Sequence, residues 1–235
     1  MERLNGRCVD FTKETSSIVK GESLSDTVHV MDSYCDIIVI RHPKEGSARL
    51  AAEIAEHPVI NAGDGSNQHP TQSLLDLYTI KKSYGKITGL DIAIVGDLKY
   101  GRTVHSLAYA LVMFDNDLTF ISPGELKMPA QIIEKIKKKG IKIKEKNFVD
   151  NGYDIIYVTR IQKERFPDIQ EYEKVKNTYR TTKEILDEKT LVMHPLPRIN
   201  EIDKNIDKTP QALYFKQASY GIPVRIAILD EALTQ

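Results

Sequence analysis

The 235-residue sequence contains no tryptophan, only two cysteines and no apolar run of membrane-spanning length. Cys8 and Cys35 are too few for a disulfide framework or for a cysteine-based metal site. A helix needs about 20 apolar residues to cross a bilayer, and no segment of this sequence approaches that length. The N-terminal residues Met-Glu-Arg-Leu do not form an apolar signal segment. We therefore expect a globular protein located in the cytoplasm.

An excess of charge of either sign is also lacking, because 33 acidic residues balance 33 basic ones. The composition therefore gives no reason to expect nucleic acid or a membrane surface as a partner. The lysine-rich stretch 134–146 alternates lysine with isoleucine, first at helix and then at strand spacing. This alternation favours a solvated face over a nucleic-acid site. Any anionic ligand must then be bound by a few local residues.

Strand-like and helix-like segments alternate along the chain. Short apolar, β-branched runs predict strands, and segments with apolar residues at helical spacing lie between them. The predicted strands are 35–40, 58–60, 90–96, 118–122, 154–160 and 190–194. Strand-helix alternation indicates an α/β fold in which mostly parallel sheets are covered by helices.

Two lobes are the expected organisation. A helix begins at Pro70 and is capped near Gly85, and we place the boundary between the lobes on it. The first lobe then covers 1–70 and the second covers 71–208. The segment 209–235 predicts two helices, of which the last is apolar enough to need a docking surface. We expect this last helix to pack back on the first lobe.

Basic side chains follow five of the predicted strands, at the point where each strand ends. In open α/β sheets ligands bind beyond the carboxyl ends of the strands, so several cations there predict a site for an anionic small molecule. A lone His or Arg at such a place is more often a packing or capping residue, whereas five suggest a shared crevice. The five residues are Arg41, His69, Arg102, Arg160 and His194.

The turn GDLKYGR at 96–102 resembles a nucleotide-binding turn only weakly. The dinucleotide fingerprint has glycine at its second position, where this chain has Leu98. This departure disfavours an oxidoreductase and gives no reason to expect a cofactor. Arg102, at a predicted helix start, suits a carboxylate or phosphate instead. His42, His69 and His194 lack the paired spacing of zinc ligands, so no metal is expected.

Several long blocks resemble the aspartate carbamoyltransferase family in sequence and order. They are RHPKEG at 41, NAGDGSNQHPTQSLLDL at 61, GDLKYGRTVHSL at 96, TRIQKER at 159 and HPLPR at 194. The resemblance covers nearly the whole chain. It implies transfer of the carbamoyl group of carbamoyl phosphate to L-aspartate, a reaction of pyrimidine biosynthesis. Enzymes that use ornithine are similar in fold but typically carry a cysteine where this chain has Thr71 and Leu196.

The resemblance also implies a role for each matching position. The first lobe would belong to the carbamoyl-phosphate-binding domain and 71–208 to the aspartate-binding domain. No cofactor is implied. Carbamoyl phosphate would be bound by Arg41, His69, Gln72, Leu196 and Pro197, and aspartate by Lys20, Arg102, Arg160 and Gln162.

A third implied feature is a loop shared between subunits. The stretch ETSSIVKGES at 14–23 resembles a mobile loop whose Ser16 and Lys20 would enter the site of a neighbouring subunit. A homotrimer, with or without regulatory chains, would then be required for activity.

The family's phosphate-binding string, Ser-Thr-Arg-Thr, does not occur in this sequence. Met1-Glu-Arg-Leu resembles the end of the helix that follows this string, so the chain is expected to lack an N-terminal segment. Two alternatives to an active aspartate carbamoyltransferase remain open. One is a truncated, non-catalytic chain that binds aspartate or a partner subunit, and the other, less favoured, is an ornithine carbamoyltransferase.

Overall fold

The computed structural model describes residues 1–12, 21–161, 166, 168–175 and 179–234. The chain divides into two compact units. The first unit combines 1–71 with 222–235, and the second is the continuous stretch 72–221. The segment 209–221, which the sequence assigns with the C-terminal helices, therefore lies in the second unit.

The first unit contains two parallel strands with helices beside them. Strands β1 (Ile38–His42) and β2 (Val59–Asp64) pair in parallel, with Ile38 opposite Val59. Helices α1 (Leu24–Asp32) and α2 (Ser47–Ile54) belong to this unit, and so does nearly all of α8 (Gly221–Thr234). Ser23 caps α1, because its side-chain oxygen accepts a hydrogen bond from the Asp26 N–H.

The second unit is built on one five-stranded parallel sheet. In chain order its strands are β3 (Asp91–Val95), β4 (Asp117–Ile121), β5 (Ile143–Lys146), β6 (Ile155–Val158) and β7 (Leu191–Met193). Their order across the sheet is β5-β4-β3-β6-β7, so the central strand is β3. The helices of this unit are α3 (Pro70–Tyr84, whose first two residues fall in the first unit), α4 (Arg102–Val112), α5 (Ala130–Lys137), α6 (Ile169–Val175) and α7 (Tyr214–Ser219).

Alternate residues of the central strand pack into two separate cores. Ile92 and Ile94 belong to a core that also contains apolar residues of α3 and α4, while Ala93 and Val95 belong to a second core on the opposite face. All four side chains are fully buried. This burial explains why the strand is a continuous apolar run, as is typical of parallel sheets covered on both faces.

The predicted α/β architecture with parallel sheets is confirmed. The capping-box pattern Thr181-Thr-Lys-Glu184 predicts a further helix in the second lobe. That prediction is wrong, because only a three-residue 3-10 helix, Lys183–Ile185, forms there. The parallel strand predicted at 35–40 forms, but it begins later, at Ile38, and it is not fully buried, since Val39 is 56% exposed. No helix among the described residues is long and apolar enough to span a membrane.

Candidate active site

The polar loop that follows β2 is organised by Asp64, whose side chain is buried. The Asp64 carboxylate accepts hydrogen bonds from the backbone N–H groups of Gly46 and Gln68 and from the side-chain amides of Asn61 and Asn67. Burial acts to raise the pKa of Asp64, but these hydrogen bonds outweigh it and lower the pKa. Much of the loop's polarity therefore serves its own structure.

Arg41 and His69 occupy the expected positions in the first unit. Arg41 is the penultimate residue of β1, and its side chain is exposed. His69 precedes the first residue of α3 and is half-buried, with Nδ1 3.3 Å from Thr71 Oγ1. Arg41 thus lies at the end of a parallel strand, and His69 lies at the end of the loop that follows one. Ligands of α/β proteins bind in this region, beyond the carboxyl ends of the strands.

Gln72 is buried in the second unit and contacts a carboxylate one helical turn further along α3. Its side-chain Nε2 donates a 2.9 Å hydrogen bond to Asp76 Oδ1. The same oxygen accepts from Gln217 Nε2 at 2.7 Å, and Asp76 Oδ2 accepts from the Tyr157 hydroxyl at 2.8 Å. Burial raises the pKa of Asp76 to about 6 despite the three donors.

This hydrogen-bond network reaches the segment that contains Leu196 and Pro197. Gln217 Oε1 accepts from the backbone N–H of His194 at 2.9 Å, and His194 Nδ1 accepts from the Leu196 N–H at 2.8 Å. Leu196 has a positive φ of 53° and precedes a cis peptide bond to Pro197. The structure therefore connects two predicted site segments, at Gln72 and at Leu196, through buried hydrogen bonds.

His194 pairs with a buried carboxylate, so the sequence interpretation that groups it with four other basic residues around an anionic ligand is wrong. It is 2% exposed, and its Nε2 lies 2.7 Å from Glu201 Oε1. Because Nδ1 accepts from a backbone N–H, Nε2 must carry the proton and donate to Glu201. Glu201 also accepts from the N–H groups of Ile199 and Asn200, so His194 and Glu201 fix the fold of this loop.

Arg102 and Arg160 lie beyond two neighbouring strands of the same sheet. Arg102 is the first residue of α4, which follows β3, and Arg160 comes two residues after β6 ends. Strands β3 and β6 are parallel and in register from Ile92 and Ile155 to Val95 and Val158, so both arginines lie at the carboxyl edge of this sheet.

A small cavity in the second unit includes Arg160 in its lining. The other lining residues are Gly96, Thr159, Ile161, Tyr172, Tyr179, Ile199, Asn200 and Glu201. Gly96 has a φ of 117°, and a Cβ atom built on it would lie 2.3 Å from the Thr159 carbonyl oxygen. Glycine therefore allows the close approach of the two strand ends that border this cavity.

Arg198, in the block HPLPR, was not singled out from the sequence. Its guanidinium donates two hydrogen bonds to the Asp207 carboxylate and one to the Tyr214 hydroxyl. It also lies over the rings of Tyr214 and Phe215, 4.9 and 5.3 Å from their centroids. This pairing makes Arg198 a structural residue within the second unit.

Three residues of the predicted site, Ser16, Lys20 and Gln162, lie outside the described residues. Within the described ranges, no three His, Cys, Asp or Glu side chains are grouped so that they could hold a metal ion.

The buried partners of the site were missed at the sequence level for a simple reason. Gln217 is 141 residues away from Asp76 along the chain, so no local pattern connects them. Asp76 itself could have been found, because it lies four residues after Gln72 on a helix and must therefore share a face with it.

Two protein-family models match adjacent parts of the chain. The aspartate/ornithine carbamoyltransferase carbamoyl-P binding domain matches residues 1–82, and the Asp/Orn binding domain of the same class matches residues 88–231. Together they cover most of the chain and define its class as that of the aspartate and ornithine carbamoyltransferases.

Similar proteins identify the family more closely. The aspartate carbamoyltransferase catalytic subunit of Methanocaldococcus jannaschii is 58% identical over 99% of this chain and 78% of its own length. That of Thermococcus onnurineus is 56% identical over 99% of this chain and 77% of its own length. The chain belongs to the aspartate carbamoyltransferase catalytic subunit family.

Solved structures agree with this assignment. A catalytic subunit of M. jannaschii aspartate transcarbamoylase superposes with a TM-score of 0.90 at 57% identity, over 100% of this chain and 78% of its own. The Trypanosoma cruzi aspartate transcarbamoylase in complex with carbamoyl phosphate and aspartate gives a TM-score of 0.92 at 41% identity. The match covers 97% of this chain and 77% of the T. cruzi chain.

Proposed function

We propose that this chain transfers the carbamoyl group of carbamoyl phosphate to the amino group of L-aspartate, as a catalytic chain of pyrimidine biosynthesis. The observation that carries the proposal is the pair Arg102 and Arg160 at the carboxyl edge of one parallel sheet. Aspartate has two carboxylates besides its amine, and each guanidinium can bind one carboxylate with two hydrogen bonds. The cationic side chain of ornithine would be repelled at such a place.

The reaction requires binding and charge stabilisation more than a nucleophilic side chain. The amine nitrogen attacks the carbamoyl carbon and loses a proton, the carbonyl oxygen gains negative charge, and the bond from carbon to the phosphate oxygen breaks. We assign Arg41 and His69 to the carbamoyl phosphate, where their positive or polar N–H groups would stabilise the charge on the carbonyl oxygen. Gln72 would contact the carbamoyl NH2 group, and the backbone at Leu196 and Pro197 would lie against the substrates.

The remaining assignments depend on the resemblance alone. Lys20 and Gln162 would bind aspartate, and Ser16 and Lys20 would enter the site of the neighbouring subunit in a homotrimer. Regulatory chains are compatible with this assembly. Both cysteines are free thiols, which suits the reducing environment of the cytoplasm, the proposed location.

An assay of Arg160→Ala tests the aspartate site. Removing a bidentate carboxylate contact should raise KM for aspartate at least about 30-fold, while KM for carbamoyl phosphate changes by less than about threefold. Arg180→Ala is a matched control, because Arg180 is 60% exposed and pairs with Asp203 3.1 Å away. The control should leave both KM values unchanged. An equal loss for both substrates in the Arg160 variant would contradict its assigned role.

The wild-type chain should be assayed first, with L-aspartate and with L-ornithine as the amine. Carbamoyl aspartate is the expected product, and a mass measurement under the same conditions should give a trimer. Citrulline as the product would contradict the proposed specificity. If neither product forms but aspartate still binds to the wild type and not to Arg160→Ala, the chain is a non-catalytic aspartate-binding protein.

A further inference from the structure

The side-chain amide of Gln72 can face Asp76 in only one way, and a backbone group decides which. The His194 N–H is a donor that cannot change its role, so the Gln217 atom 2.9 Å from it must be the oxygen. Gln217 therefore directs its Nε2 towards Asp76 Oδ1, at 2.7 Å. The same Asp76 oxygen lies 2.9 Å from the side-chain amide of Gln72. Because this oxygen is an acceptor, Gln72 must also direct its nitrogen towards it.

Asp76 is a suitable residue to impose this orientation because it is fully buried and an ionised carboxylate has no donor. Its second oxygen is occupied by the Tyr157 hydroxyl, and Tyr157 is also fully buried. With its nitrogen turned to Asp76, Gln72 must turn its oxygen away from Asp76. The end of Gln72 that remains for a ligand is therefore an acceptor.

We propose that Asp76 is a positioning residue that makes Gln72 present its amide oxygen to the ligand, and so selects a ligand that carries an N–H donor at that point. The proposal rests on the function proposed above, in which Gln72 contacts the NH2 group of carbamoyl phosphate. An acyl phosphate with a methyl group in place of NH2 has no donor to give. Gln217 also connects Asp76 to the 194–197 segment, because it accepts a hydrogen bond from the His194 N–H.

Two variants separate orientation from simple loss of the carboxylate. In Asp76→Asn the new amide oxygen can still accept from both glutamines, while its nitrogen faces Tyr157, so Gln72 should keep its orientation. In Asp76→Asn combined with Gln217→Glu, the carboxylate introduced at position 217 must accept from both the His194 N–H and the amide introduced at position 76. That amide then turns its nitrogen inward, and Gln72 must reverse to bring its oxygen to it. The double variant keeps one buried carboxylate in the network.

The orientation can be measured without any ligand, by nuclear magnetic resonance of the 15N-labelled side-chain amides at pH 8. In the wild type and in Asp76→Asn, one Gln72 Nε2 proton should exchange slowly with water because it is hydrogen-bonded inside the protein. In the double variant this proton should exchange at least about tenfold faster. Absence of a protected Gln72 proton in the wild type, or its retention in the folded double variant, would overturn the proposal.

The consequence for the ligand can be measured by calorimetry with carbamoyl phosphate and acetyl phosphate as probes. The wild type and Asp76→Asn should prefer carbamoyl phosphate by the same ratio within about twofold. The double variant should lose about tenfold of that preference, which corresponds to about 1.4 kcal/mol. An unchanged ratio in a double variant whose Gln72 has reversed would reduce Asp76 to a structural role.

The two measurements distinguish a failure of the proposed function from a failure of the positioning role of Asp76. If the wild type binds neither probe, the proposed function fails at carbamoyl phosphate, while the amide spectrum still decides whether Asp76 orients Gln72. Should the double variant not fold, Asp76→Ala removes the acceptor from Gln72 and must abolish its protected proton. If Asp76→Ala keeps that proton, the positioning role is refuted.

Discussion

Buried carboxylates hold the loops of this protein in place, but their surroundings shift the pKa values of these groups in different directions. Asp64 and Glu201 each accept hydrogen bonds from two backbone N–H groups, and the pKa of each is lowered even though burial acts to raise it. Asp76 is fully buried, and its described donors are all side chains. Its pKa is raised to about 6, because burial outweighs these donors.

The raised pKa of Asp76 predicts a pH-dependent contribution to stability. A folded-state pKa of about 6 exceeds the ordinary value of 3.8, so the folded protein binds this proton more tightly than the unfolded chain. The free energy of unfolding should therefore rise as pH falls from 7 to 4, by about 2 kcal/mol relative to Asp76→Asn. Tyr157, the titratable neighbour of Asp76, stays protonated because its own pKa is raised well above 10.

Urea unfolding of the wild type and of Asp76→Asn at pH 4, 5, 6 and 7 measures this difference directly. Titration of all other carboxylates is common to both proteins and cancels in the comparison. A difference that is constant over this range would contradict the raised pKa.

At the element scale, Gly96 allows the ends of the neighbouring strands β3 and β6 to approach each other closely. Its φ of 117° is one that L side chains rarely adopt, and a Cβ atom there would approach the Thr159 carbonyl to 2.3 Å and the Thr159 hydroxyl to 2.7 Å. That hydroxyl accepts a hydrogen bond from the Asp97 N–H. A methyl group at this position must therefore displace the connection after β6.

Gly96→Ala should lower the free energy of unfolding by at least about 2 kcal/mol, because it adds backbone strain and a steric clash. The matched control is Gly124→Ala, where no atom lies within 4 Å of the added methyl group. The control should stay within about 0.5 kcal/mol of the wild type. Thermal or urea unfolding of both variants gives the comparison, and equal stability of the two would refute the clash.

The secondary structure of the second unit was predictable because its signals are local. Strand β3 is a continuous apolar run between polar turns, and the structure gives Asp91–Val95 where the sequence predicts 90–96. The helix expected after Thr181 fails because a capping pattern specifies only a helix start. Here the Thr181 N–H donates to the Glu201 carbonyl and the Asp203 N–H to the Thr181 carbonyl, so tertiary pairing takes up the backbone groups.

The two units differ in how deeply their sheets are buried. Ile92, Ala93, Ile94 and Val95 of the five-stranded sheet are fully buried, whereas Val39 of the two-stranded sheet is 56% exposed. Few buried contacts and exposed backbone hydrogen bonds favour local opening. The two sheets should therefore differ in their protection from hydrogen exchange.

Hydrogen exchange followed by mass spectrometry should show this difference. Peptides covering β3 should exchange at least about a hundredfold more slowly than peptides covering β1. Both are five-residue parallel strands, so the comparison is matched in length and pairing type. Equal protection of both strands would mean that the first unit is as stable as the second, contrary to its burial.

The positions of the candidate site residues were predictable from the sequence, while their buried partners were not. Arg41, Arg102 and Arg160 follow from the rule that sites form beyond the carboxyl ends of parallel strands. The same rule gave His194 the wrong role, because its partner Glu201 becomes visible only when the loop is folded. Asp76 and Gln217 are connected only through the tertiary structure.

The division of the chain has a consequence for how the protein is made. The second unit is one uninterrupted stretch, 72–221, whereas the first needs both 1–71 and 222–235. Because domains generally fold as units during synthesis, the second can fold as soon as it leaves the ribosome. The first unit must wait for α8, so its strands emerge first but complete their fold last. During that interval chaperones would have their best opportunity to bind it.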